Sequence, residues 1–242
     1  VASLFGKSFT KLTLFKPTFI GSLANFAKKY FEMTNHYGAL FDLDGVLIDS
    51  ETTYTRFWNE IDSIYPTGIE NYAIAIKGTT LPEIMKHYDN EDVKADILRR
   101  IHDFQESMVY ELYPGVDDFL TLLNKAGIPC AIVTSSDERK MELLFTQQPA
   151  LRGYFHTVID ASKVTRSKPD PQGYLIAAEA IGRKPENCFV FEDSIQGLKA
   201  GRASGAKVVA ISTTYPPEAL EGLGDITVPS LDKLTLDMLL GL

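Results

Sequence analysis

The stretch FDLDGVLIDS, residues 41–50, sets Asp42, Asp44 and Asp49 within eight positions at the end of an apolar run. Carboxylates this close repel one another, so either the segment is an acidic turn in water or a cation belongs there. Three later segments carry similar chemistry: VTSS with Thr134 and Ser135, SKPD with Lys168, and FEDS with Glu192 and Asp193. Four carboxylates, two hydroxyls and an ammonium make a poor dry core. They make a reasonable site for a hard cation with an anionic ligand, and carboxylate oxygens favour Mg2+. Lys168 would then neutralise phosphate oxygens, while Thr134 and the N–H groups after it hydrogen-bond them.

Each piece alone has an ordinary explanation. A lone DxDG serves as a surface turn, and it echoes part of a calcium loop. That loop, however, needs oxygen ligands where this chain has Val46, Leu47 and Ile48. Thr134 or Lys168 alone would pass as structural. Their conjunction, in this order and at successive strand ends, is what chance does not readily produce.

YGALFDLD reads as a buried strand. Residues 51–111 then offer only helical material: TTYTRFWNEI, LPEIMKHY and VKADILRRIHDFQESMVYEL. After YPG at 113–115, helix and strand alternate. VDDFLTLLNKAG, DERKMELLFTQQ, DPQGYLIAAEAIG and IQGLKAGRASG read as helices, IPCAIVTSS, TVID, NCFVFEDS and AKVVAIS as strands. Asp170 is the expected N-cap of the third helix, with Pro171 at its first position. Such alternation implies a parallel sheet covered on both faces by helices, an α/β fold, with ligands at the carboxyl ends of the strands. The helical block reads as a second, mobile domain inserted between hinges near Asp49 and Pro114. Gly197, Gly201 and Gly205, four residues apart, suggest close helix-on-sheet packing.

The net charge of −8 argues against a nucleic-acid partner. No run approaches the ~18 apolar residues of a membrane span. Cys130 and Cys188 lie in apolar runs without a disulfide framework, which points to a cytoplasmic protein. The four histidines show no zinc-ligand spacing. Residues 1–33 carry five Lys and one acid, net +4, leaving −12 for the rest. This segment reads as a targeting peptide, an amphipathic surface helix, or an extension upstream of a natural start at Met33.

Taken together, DLDGVLIDS, VTSS, Lys168 in SKPDP and FEDS resemble the four motifs of the haloacid dehalogenase superfamily, in its β-phosphoglucomutase-like branch. The resemblance spans about residues 36–230. It implies a Rossmann-like doubly wound core at 34–49 and 113–242, a helical cap at 50–112, and 1–33 as an extension. It also implies a monomeric, Mg2+-dependent enzyme whose partner is a small phosphorylated metabolite, with no membrane involved. Asp42 would be the nucleophile, forming an aspartyl-phosphate, and Asp44 the general acid and base. Thr134, Ser135 and Lys168 would bind the phosphoryl group. The metal would be held by the Asp42 carboxylate, the Asp44 backbone carbonyl and Asp193, with Glu192 assisting. Asp49 would start the cap helix or line the hinge. True dehalogenases lack the second Asp, so phosphoryl transfer is the expected reaction.

Mutases of this branch carry a His early in the first cap helix and an Arg after a KG loop, which grips a distal phosphate. Here Tyr54 and Leu81 stand at those positions. Lys77 or Lys86 are the available substitutes, Lys86 being expected on a solvated helix face. The expectation is a phosphatase of small phosphorylated metabolites, sugar phosphates foremost; a phosphohexomutase is the alternative.

Overall fold

The computed structural model describes residues 34–242. The readings of residues 1–33 lie outside the described residues.

The first strand, β1 (Gly38–Phe41), is followed by four helices: α1 (Glu51–Ile64), α2 (Tyr72–Ala75), α3 (Leu81–Met85) and α4 (Glu91–Ser107). The chain then alternates through α5 (Val116–Lys125), β2 (Cys130–Val133), α6 (Glu138–Gln147), β3 (Phe155–Ile159), α7 (Gln172–Ala180), β4 (Cys188–Glu192), α8 (Ile195–Ser204) and β5 (Lys207–Ile211). It ends with β6 (Ile226–Val228) and α9 (Leu236–Leu240).

The strands form one parallel sheet in the order β3-β2-β1-β4-β5-β6. Every residue of β1, β2 and β4 is buried, because helices cover both faces. Successive side chains feed opposite layers: Phe41 and Phe191 stack in one core, Leu40 and Val190 lie in the other. A third apolar cluster, including Trp58, Ile61, Tyr72, Ile84 and Ile101, belongs to α1–α4. Those helices form the inserted cap. Its two connections run side by side: Asp49 N–H donates to Glu111 O at 2.9 Å and Tyr113 N–H to Leu47 O at 3.0 Å.

Three local readings need correction. The helical pattern through MVYEL stops at Ser107, where Met108 and Tyr110 turn into the main core. Gln147 replaces the helical bonds, donating to Met108 O at 2.9 Å and accepting from Tyr110 N–H at 3.0 Å. Gly201 packs closely, since a Cβ there would lie 2.9 Å from Val190 Cγ1, but Gly205 has open space around it. Gly205 is instead the left-handed C-cap of α8, with φ +84°. At the start of α7, Pro171 occupies the cap position, while Asp170 accepts from Gln172 N–H at 2.9 Å. The sequence reading missed β6 altogether; an edge strand of three residues, one half-buried, one exposed and one buried, is too short to show a period. No helix among the described residues is long and apolar enough to cross a membrane.

Candidate active site

Strand register brings the motifs together. Phe41 pairs with both Ile132 and Phe191, so Asp42, Thr134 and Asp193 leave the sheet at the same edge. That edge flanks β1, where the strand order reverses direction and an open α/β sheet leaves a crevice.

Asp42 is 8% exposed, and its Oδ1 accepts from Lys168 Nζ at 2.5 Å. The ammonium also donates to Glu192 Oε1 at 2.6 Å and to Val133 O at 3.2 Å. Burial alone would pull Lys168 down, but the Asp42 and Glu192 carboxylates outweigh it and hold the group above its ordinary value. One ammonium does not balance three acids. Burial pushes Asp42 up to about 7, with Lys168 opposing and Glu192 and Asp44 reinforcing the rise. Burial, then the Glu192 and Asp42 charges, also push Asp193 well up.

Three buried carboxylates therefore face a single ammonium at this edge. Oxygens of Asp42, Glu192 and Asp193 lie within 4.8 Å of one another, all buried, and could hold a metal ion. The donors are hard oxygens, which suits a magnesium-type ion. Glu192 differs from its neighbours. Its Oε1 also accepts from Tyr174 Oη at 2.8 Å, and its Oε2 from Asp193 N–H, Ser194 N–H and Ser194 Oγ at 3.0–3.1 Å. With both oxygens engaged, Glu192 positions Lys168 and the loop after β4, while Asp42 and Asp193 have more to offer a cation.

Asp44 faces elsewhere. Its carboxylate accepts from Lys140 Nζ at 2.5 Å, from Ser136 Oγ at 2.9 Å and from Ser50 Oγ. Burial disfavours its charge, yet Lys140 and the two hydroxyls prevail and hold Asp44 below the usual carboxylate range. Gly45 fits between the motifs only as glycine: φ is +78°, and a Cβ would collide with the Asp193 carboxylate.

Lys140 is the residue that motif reasoning missed. It is 2% exposed, its Nζ 4.2 Å from the centroid of the Tyr54 ring. A signal existed: Lys140 shares the buried stripe of α6 with Met141 and Leu144, an improbable place for an ammonium without a partner.

Thr134 is buried, and its Oγ1 accepts from Ser136 N–H at 3.0 Å. The Ser135 hydroxyl is engaged with the cap, donating to Gly78 O at 2.7 Å. Its backbone N–H donates to no described residue. Asp49 is exposed and accepts from Tyr113 Oη at 3.2 Å across the two connections.

The KGTT loop seats the cap on this edge. Thr80 N–H donates to Ser167 Oγ at 3.0 Å, next to Lys168. Gly78, at φ +79°, lies so close that a Cβ would sit 2.7 Å from Ser194 Oγ. Between cap and core lies a cavity of about 100 Å³ lined by Asp44, Tyr54, Trp58, Lys77, Leu81, Gln105, Ser135 and Lys140, among others. Lys77 is ion-paired with Glu51 across this cavity, whereas Lys86 is exposed and paired with Glu83 on its own helix.

Comparison with known proteins agrees with this geometry. The haloacid dehalogenase-like hydrolase family matches residues 38–205. Hexitol phosphatase A of Escherichia coli (strain K12) is 32% identical over 206 residues, covering 82% of this chain and 93% of that protein. A phosphorylated carbohydrates phosphatase of Thermotoga maritima is 30% identical over 175 residues, 69% of this chain and 80% of that one. A β-phosphoglucomutase from Clostridium difficile shares the fold, with a TM-score of 0.70 at 19% identity over 84% of this chain and 94% of that one. The four motifs, the reversal of strand order beside β1 and the inserted helices all coincide with that match, and the chain belongs to the haloacid dehalogenase-like hydrolases.

Proposed function

We propose that this protein is a Mg2+-dependent phosphomonoester hydrolase acting on small phosphorylated metabolites, sugar phosphates foremost. The observation that carries the reading is the buried array of Asp42, Lys168 and Asp193 beside the Thr134 hydroxyl and the Ser135 N–H. Asp42 and Asp193 would hold the metal, with the Asp44 backbone carbonyl, and Glu192 would act through its grip on Lys168. When bound, the ion supplies charge neutralisation that lets a carboxylate approach a phosphate dianion.

In this scheme Lys168, Thr134 and the Ser135 N–H hold the phosphoryl oxygens in line with Asp42. An Asp42 oxygen attacks phosphorus, the bond to the leaving oxygen breaks, and Asp44 gives that oxygen a proton. Water then attacks the aspartyl-phosphate, Asp44 takes the water's proton, and Asp42 is released with inorganic phosphate. Lys140 holds Asp44 as a carboxylate before substrate enters. A phosphate dianion nearby raises the proton affinity of Asp44, which takes up a proton from solvent as substrate binds, gives it to the leaving oxygen and regains one from the attacking water.

The cavity favours hydrolysis over the mutase alternative. Tyr54 and Leu81 line it where a mutase would place its His and phosphate-gripping Arg, and both lining lysines are paired. The two cysteines, free and buried, support a cytoplasmic setting. The exposed large apolar residues, such as Ile64, Leu122 and Met238, are spread over separate helices, which supports a monomer. Release of inorganic phosphate from a panel of sugar and hexitol phosphates with Mg2+ tests the proposal. Turnover is expected for the chain and absent for Asp42→Asn; an active Asp42→Asn protein would overturn the assignment.

A further inference from the structure

The cavity between cap and core contains a polar side chain that the proposed reaction does not use. Gln105, in the last turn of α4, lines the wall and is 3% exposed. Its backbone is anchored, since Tyr110 Oη donates to Gln105 O at 3.0 Å. Its Nε2 donates to Tyr54 Oη at 3.4 Å, but its Oε1 is buried and accepts from no described residue. Turning the amide over would let Tyr54 donate to the oxygen and would strand the N–H groups instead. In either orientation one buried end lacks a partner, which is unfavourable. A hydroxyl both donates and accepts through one atom, so it satisfies this side chain either way. An anionic oxygen offers no proton to the carbonyl and would be repelled by it.

The rest of the wall agrees with an uncharged, hydroxylated ligand. Lys140 is paired with Asp44 and Lys77 with Glu51. Trp58, Ile84 and Ile101 supply apolar surface around the few polar groups, as in small-molecule sites generally. We infer that Gln105 is a specificity-determining residue, hydrogen-bonded to a hydroxyl on the uncharged leaving group of a phosphate monoester. The inference rests on the phosphatase reading for where the phosphoryl end sits.

Binding to an Asp42→Asn protein with Mg2+ tests it without turnover. The Kd of a hexitol monophosphate should rise about tenfold on adding Gln105→Met, while that of inorganic phosphate stays unchanged. Hexyl phosphate, of equal length but without hydroxyls, should bind the Gln105 protein about tenfold more weakly than the hexitol ester, and the gap should close with Met. Equal weakening for phosphate and the hexitol ester would overturn the assignment, as would hexyl phosphate binding the Gln105 protein as tightly as the hexitol ester. If Gln105→Met does not fold, the two esters on the Gln105 protein decide the matter alone. Phosphate release by the unmodified chain is a separate reading. No turnover combined with an intact preference for the hexitol ester would sink the phosphatase proposal and leave the Gln105 assignment standing.

Discussion

Asp42 and Asp44 stand two positions apart and meet opposite electrostatics. Burial among acids pushes Asp42 up, while Lys140 and two hydroxyls hold Asp44 down. Asp42→Asn should therefore lower kcat by at least about 10³-fold in a phosphate-release assay, since a removed nucleophile leaves only binding and charge stabilisation. Lys140→Met removes the ammonium and leaves the Asp44 carboxylate buried with hydroxyls alone. Urea unfolding should show a loss of about 3 kcal/mol, and kcat should fall about tenfold to a hundredfold because Asp44 loses its orientation. Unchanged stability with unchanged kcat would remove Lys140 from the site. The motif carboxylates and Lys168 were legible in the sequence because their types and order are chemically improbable by chance. Lys140 and Gln105 were not, because their meaning depends on which helix faces come together in space.

At the scale of elements, β1 to β5 and the helices α5 to α8 were readable because each is a run of apolar residues bounded by Gly, Pro or a cap. The end of α4 was not, because Met108 and Tyr110 keep the helical apolar pattern while side-chain amides of Gln147 and Gln148 take over their backbone groups. The KGTT loop is the element that seats the cap on the core. Gly78 combines a left-handed backbone with an approach to Ser194 that leaves no space for a Cβ, and its carbonyl accepts from Ser135. Gly78→Ala should displace the loop and hinder closure without touching the sheet. Steady-state assays should show kcat and KM for sugar phosphates changing together, with the unfolding midpoint almost unaltered. Kinetics indistinguishable from those of the parent chain would show that closure does not pass through this contact.

Over the whole molecule, the acidic edge makes folding, protonation and cation binding a single linked equilibrium. Asp42 titrates near 7 in the folded chain against an ordinary value of 3.8. Between those two values the folded state keeps a proton that the unfolded state has released. Stability of the metal-free protein therefore falls as pH rises through that window, and Asp193, raised for the same reasons, adds to the loss. A divalent cation held by Asp42 and Asp193 would reverse the balance, because it would favour the ionised carboxylates and bind the folded state in preference. Below the Asp42 value, binding must first displace the proton, which weakens it. Thermal melts with chelator and with saturating Mg2+ should accordingly show a small Mg2+-induced rise in Tm near pH 5 and a larger one near pH 7.5. Asp42→Asn removes the titrating group, so its metal-free Tm near pH 7.5 should exceed that of the parent chain, and its Mg2+-induced rise should differ less between the two pH values. A Mg2+ shift of equal size at both pH values would mean that the ion, if it binds, does so away from this cluster.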